Sequence, residues 1–210
     1  MLAAAAALVL SGCSLLSDPS DEQLYRFGTA VTPVAAPAPA SETPTVRLGI
    51  DPGAFPREAT GIRILTTEGA QVSYLAGARW AAPAELLFET TLVRAFDGIA
   101  PDVTMYTRGA SNTAGALLRA DVRQFEAVYD QGPQAPPVVR VRVSVRLNDR
   151  EERTLLGERE FQAESRATDN RVAAVVQAYD QAVTEVARGV ATWTVDTARR
   201  GGVGRARAAN

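Results

Sequence analysis

Val139-Arg140-Val141-Arg142-Val143-Ser144-Val145-Arg146-Leu147 carries an apolar residue at every odd position and a polar one at every even position. Successive side chains of a β-strand point to opposite faces, so this segment buries one face and leaves the other in water. Asn148-Asp149-Arg150-Glu151 then supplies a turn, and a partner strand follows around Leu156 to Ala163. In that hairpin Arg140, Arg142 and Arg146 are set to face Glu158, Glu160 and Glu164.

Working outward, Thr168, Asp169 and Asn170 offer caps for a long final helix whose stripe is Val172, Val175, Val176, Tyr179, Val183, Val186, Val190 and Trp193. Upstream, Leu117 to Tyr129 reads as a strand. Its apolar phase slips by one residue after Val122, which predicts a bulge at Arg123 or Gln124. A short strand is expected at Val103 to Tyr106. Pro83 opens a helix carrying Phe88, Leu92, Phe96 and Ile99, closed by Gly98 and Pro101. Gln71 to Trp80 alternates with Val72, Tyr74, Ala76, Ala78 and Trp80 on one face, and Gly61 to Leu65 and Val46 to Ile50 read as earlier strands. These elements specify an α+β fold: an antiparallel sheet with two helices packed on one face.

The chain has 46% apolar and 22% charged residues, near the composition of ordinary globular domains. Its net charge is −2, and every basic group is an arginine, so there is no global electrostatic attraction for nucleic acid. Histidine is absent and Cys13 is the sole cysteine. That composition excludes an intramolecular disulfide, a Cys/His zinc site and any serine–histidine or cysteine–histidine mechanism. No phosphate loop, dinucleotide fingerprint or calcium loop occurs, and no cofactor is expected.

Leu2 to Leu10 is an apolar run too short to span a bilayer but suited to a secretory signal. No basic residue precedes it. The tetrad Leu10-Ser11-Gly12-Cys13 resembles the lipobox of bacterial lipoproteins, which implies cleavage before Cys13 and acylation of its thiol. Ser14 in the position after the lipidated cysteine favours the outer over the inner membrane by analogy with enteric lipoproteins. Residues 14 to 45 are poor in large apolar side chains, and Thr32 to Ala40 is a proline–alanine segment of the kind that forms extended spacers. The expected organisation is therefore a signal over 1–12, a lipidated tether over 13–45, a periplasmic domain over 46–198 and a disordered basic tail over 199–210. Within the tether, Leu24-Tyr25-Arg26-Phe27 is an apolar island able to add an edge strand.

Carboxylate pairs for acid–base chemistry, Asp97 with Asp102 or Asp121 with Glu126, have no supporting motif and read as surface groups, so no catalytic residue is assigned. The arginines at 140, 142 and 146 read as a cross-strand ion ladder rather than a phosphate site. Arg199, Arg200, Arg205 and Arg207 offer a tail able to touch anionic lipid, though a frayed terminus accounts for them. Trp80 and Trp193 read as core rather than as the lining of a lipid groove.

Four stretches resemble the ABC-type transport auxiliary lipoproteins, the family of the paraquat-inducible-operon lipoprotein. They are the lipobox at Cys13, Leu24-Tyr25-Arg26-Phe27-Gly28, Tyr74 with Arg79-Trp80-Ala81-Ala82-Pro83 leading into Leu86-Leu87, and Leu118 to Glu126. The resemblance implies a non-enzymatic periplasmic component working with an ABC permease, its ATPase and an MCE-domain protein to move lipids or other hydrophobic molecules. A lipid ligand and a homo-oligomeric state are left open, and only Cys13 transfers as a functional residue. The alternative is a structural lipoprotein that helps an outer-membrane complex assemble.

Overall fold

A computed structural model describes residues 22–31, 46–100, 102–107 and 113–203. Within them lie strands β1 (Gln23–Tyr25), β2 (Val46–Pro52), β3 (Arg63–Glu68), β4 (Gln71–Trp80), β5 (Val103–Tyr106), β6 (Ala116–Val128), β7 (Val138–Asp149) and β8 (Leu155–Arg166), with helices α1 (Ala84–Ile99) and α2 (Val172–Arg200). The α+β class holds, and the elements read from the sequence are all present.

The sheet is mixed rather than antiparallel throughout. β6, β7 and β8 form an antiparallel meander, and β3 pairs antiparallel with β4. By contrast β1 with β4, β2 with β5, and both β2 and β3 with β6 run parallel. Alternation of side chains is the same in either orientation, so the pattern fixes faces and not direction. Each parallel pair joins strands that are not consecutive in the chain, as a parallel pairing requires, since a tight turn can only reverse direction.

β6 is the axis of the fold. Along one edge it pairs with β7 over its whole length. Along the other, Ala116–Ala120 pairs with β2 while Ala127–Val128 pairs with β3, so the sheet forks into two arms. The expected bulge is present, with a register shift between Val122 and Gln124. It leaves Leu118, Ala120 and Val122 before it, and Phe125 and Ala127 after it, all facing the core.

Val139, Val141, Val143, Val145 and Leu147 are at most 1% exposed, covered by α2. On the wet face Arg140 lies opposite Glu164 at 3.1 Å, and Arg142 reaches Glu160 diagonally at 3.9 Å. Arg146 departs from the expected ladder. It lies opposite Glu158 but approaches Asp121 on β6 at 3.7 Å. The exposed pairs of Arg140 with Glu164 and Arg142 with Glu160 contribute roughly 0–1 kcal/mol each, so on this hairpin the valine face outweighs them.

Two stripes are shorter than expected. On β4 only Ala78 and Trp80 are buried, and Val72, near the β3–β4 turn, is 52% exposed. On α1, Phe88, Leu92 and Phe96 are buried with Thr91 and Ala95, whereas Ile99 on the last turn is exposed. α2 buries Val175, Val176, Tyr179, Val183, Val186 and Val190 of the expected stripe, and leaves Val172 and Trp193 partly covered.

Residues 22–31 belong to the domain rather than to a spacer. β1 adds to the edge of β4, Phe27 is 1% exposed, and Val31 is buried. Asp180 of α2 accepts hydrogen bonds from the Thr29 backbone N–H at 2.8 Å and from its hydroxyl at 3.1 Å, and Arg188 donates to the Ala30 carbonyl at 3.0 Å. The proline–alanine stretch lies outside the described residues, but it joins buried Val31 to buried Val46 and so links two packed elements. At the other end, Arg199 and Arg200 are the last residues of α2, and Arg199 donates to both oxygens of Asp102 at 2.9 Å. Arg205 and Arg207 lie outside the described residues, as do the signal and Cys13.

Candidate functional site

The gap between the two arms of the sheet is closed by the loop that follows β2. Gly53 crosses β6 so closely that a β-carbon there would lie 2.2 Å from the Ala120 carbonyl oxygen, which only glycine avoids. The next residue is locked in both directions: Ala54 N–H donates to the Asp121 carboxylate at 2.7 Å, and the Val122 N–H donates to the Ala54 carbonyl at 2.8 Å.

Asp121 carries a buried charge, 4% exposed, with Arg119 at 3.3 Å and Arg123 and Arg146 each at 3.7 Å. Burial alone pushes its carboxyl up. The Ala54 N–H together with Arg119 and Arg123 outweighs that, and the carboxyl is held below its ordinary value. A depressed native pKa contributes stability that is complete above the unfolded value of roughly 4 and lost as pH falls through the native one. Asp121→Ala leaves a covered N–H and three guanidinium groups without this partner, and is expected to cost about 2–3 kcal/mol in chemical denaturation at neutral pH. Asp121→Asn retains an acceptor for Ala54, so it costs less, and the wild-type advantage over it shrinks below about pH 4.

Behind the fork, Phe55 from the same loop enters a chain of aromatic contacts. Its ring lies 6.4 Å from Phe88 and 5.3 Å from Phe125; Phe125 meets Phe27 at 5.4 Å and Tyr179 at 5.1 Å; Trp80 stands edge-on to Phe27 at 5.0 Å and to Tyr179 at 5.2 Å. Tyr179 donates its hydroxyl to the Leu65 carbonyl at 2.7 Å, and complete burial holds its pKa well above the ordinary phenol value. One cluster thus fastens the segment after β1, β4, β6, both helices and the closing loop. Trp80 is core, as read from the sequence.

Between this cluster and α1 lies an apolar cavity of about 120 Å³, lined by residues including Ile50, Phe55, Phe88, Leu92 and Val122, with Glu85 and Glu89 beside it. Glu85 accepts the Gly61 N–H at 3.0 Å. A second, polar recess of about 380 Å³ separates the start of β8 from the end of α2, where Trp193 leans on Gly157.

The candidate carboxylate pairs do not converge. Asp102 is engaged by Arg199 and Asp97 is exposed on α1. Asp121 lies opposite Ser144, whereas Glu126 lies opposite Arg140 and accepts a hydrogen bond from Gln124 at 2.6 Å. Among the described residues no cluster of three His, Cys, Asp or Glu side chains is placed to hold a metal.

Sequence reasoning missed the closing loop and the anchoring of residues 28–30 by Arg94, Asp180 and Arg188. The signal for the second was faint: Gly28 directly after an aromatic residue in a supposed spacer. Gly28 has φ +76°, and a β-carbon there would lie 2.0 Å from the Thr91 hydroxyl oxygen. The structure also brings two of the short motifs together. Leu24 and Tyr25 of β1 pair with Arg79 and Trp80 of β4, with the Tyr25 carbonyl accepting the Ala81 N–H at 2.6 Å and Arg79 bridging Glu22 at 2.6 Å.

In comparison with solved structures, the fold is similar to that of a protein from Xanthomonas campestris, 24% identical, over 86% of this chain and 99% of that one, with a TM-score of 0.68. A second, uncharacterized protein matches at 17% identity over 84% of this chain and 96% of that one, with a TM-score of 0.57. No curated protein matches. The family model described as "ABC-type transport auxiliary lipoprotein component" matches residues 27–191, from Phe27 in the docked N-terminal segment to the second half of α2. The chain belongs to the family of ABC-type transport auxiliary lipoproteins.

Proposed function

We propose that this protein is a non-enzymatic accessory subunit of an ABC/MCE-type system that moves lipids or other hydrophobic molecules across the cell envelope, held at the outer membrane by acyl chains on Cys13. Family membership supplies the transport context. The observation that carries the accessory role is the size of the apolar cavity. At about 120 Å³ it falls well short of the roughly 300–1,000 Å³ of sites that enclose a drug-sized ligand. The larger recess is polar and open. This supports a domain that holds partners rather than cargo, with the hydrophobic path in the other subunits. The non-enzymatic reading is supported by the engagement of Asp51, Asp102 and Asp121 in ion pairs with arginine. No helix among the described residues is long and apolar enough to cross a membrane.

Affinity purification of the full-length protein from gently solubilised membranes, beside Cys13→Ala, tests this reading. The wild type is expected in the membrane fraction with an ABC permease, an ATPase or an MCE-domain protein, and Cys13→Ala in the soluble fraction. Recovery of outer-membrane assembly proteins alone overturns it in favour of a structural lipoprotein.

A further inference from the structure

Because residues 22–31 are packed into the domain, the connection to the membrane is much shorter than the composition implies. Only residues 14–21 separate Cys13 from Glu22, and Glu22 is fixed to Arg79 of β4. A fully extended chain of that length spans at most roughly 30 Å. The β1 edge of the domain is thus confined near the bilayer that holds Cys13.

That edge has the character of a surface meeting lipid. Leu24 on β1 is 67% exposed and Leu86 on the first turn of α1 is 51% exposed. Past them lies a recess of about 210 Å³ whose polar lining is Arg26, Arg94, Thr90 and Thr91 over a floor that includes Phe27 and Leu87. Arg26 is exposed; Arg94 is half-buried and directs one guanidinium nitrogen to the Gly28 carbonyl at 3.5 Å. Among the described residues no carboxylate lines the recess. Glu22 is engaged by Arg79 and Asp180 by Thr29, while Glu89 and Asp97 lie on α1 outside the lining. Guanidinium groups match phosphate geometry, and a basic recess flanked by exposed leucines suits a phosphodiester whose acyl chains continue past it.

We propose that the Arg26–Arg94 recess docks on phospholipid headgroups of the anchoring membrane, holding the domain with β1 against the anionic lipid surface. This rests on acylation of Cys13, which mass spectrometry of the purified protein reads independently.

The test uses the acylated full-length protein carrying Leu24→Cys, in which position 24 is the one free thiol, labelled with an environment-sensitive dye. The protein is reconstituted into vesicles of phosphatidylethanolamine with phosphatidylglycerol, or of phosphatidylcholine alone. On the anionic vesicles the dye is expected to shift to the blue and to be quenched from the lipid phase. Each arginine near an anionic surface is worth roughly fivefold in such an equilibrium. Arg26→Gln is therefore expected to lower the docked-to-undocked ratio roughly fivefold, and Arg26→Gln/Arg94→Gln roughly twenty-five-fold. The single variant alters an exposed side chain and so keeps the test independent of any folding defect at Arg94. An acylated protein whose dye stays in water on both vesicles overturns headgroup docking while leaving the anchor intact. An equal blue shift in wild type and Arg26→Gln, on both lipid compositions, overturns the role of the arginines. A protein carrying no lipid on Cys13 overturns both the anchor and the docking.

Discussion

Trp80→Ala is expected to destabilise the domain by about 3–5 kcal/mol, the range for truncating a large aromatic side chain in a core. At roughly 2–4 °C per kcal/mol for a domain of this size, the thermal midpoint falls by roughly 6–20 °C. The magnitude follows from position. Trp80 is 1% exposed, stands edge-on to Phe27 and Tyr179, and ends the strand to which β1 is added. Its loss therefore removes a buried surface and loosens the N-terminal segment at once. Calorimetry together with tryptophan emission checks this, since Trp193 becomes the sole tryptophan in the variant. If Trp80 instead lined a binding groove, its removal would leave the midpoint within about 1 °C of wild type.

Gly28→Val is the second large effect. Two penalties add at this position: a left-handed backbone, worth about 1–2 kcal/mol for a residue with a β-carbon, and overpacking against α1, worth about 1–3 kcal/mol. Thr91 is poorly placed to move aside, being 1% exposed with its hydroxyl donating to the Leu87 carbonyl at 2.7 Å. The segment is expected to undock, exposing the peptide bond after Arg26 to trypsin in the folded protein. Gly69→Val provides the comparison, because Gly69 has φ +57° and a β-carbon there would meet no atom within 4 Å, so it carries the backbone penalty alone. Equal stability of the two variants, with residues 22–31 still protected, would falsify the close approach to α1.

How much of this was legible depended on whether a signal was local. The strand from Val138 to Asp149 announces itself because Val139 to Leu147 obeys one period throughout, and the bulge after Val122 because a phase slip has one structural meaning. Strand direction was not legible, since parallel and antiparallel neighbours demand the same alternation. Nor was the fork, which depends on where β2 and β3 end along β6 and is set by packing between segments far apart in the chain. The closing loop illustrates the limit. Asp121 reads as one more surface carboxylate on a wet strand face, and only the folded chain brings Ala54, Arg119, Arg123 and Arg146 around it. Composition misled once: a proline–alanine run signals a spacer, but it does not say which side of the run the domain begins on. Phe27 and Val31 decide that, by being buried.

The hydrogen bonds from Thr29 to Asp180 close a separation of 151 residues, and so set an order of events in folding. The β6–β7–β8 meander contains only neighbouring pairings and is free to form earlier, whereas contacts of high sequence separation are slow to close. Residues 22–31 are thus among the last placed. Until α2 arrives, Phe27 has no Tyr179 behind it, and the cluster around Trp80 remains open to whatever binds apolar chains in the meantime.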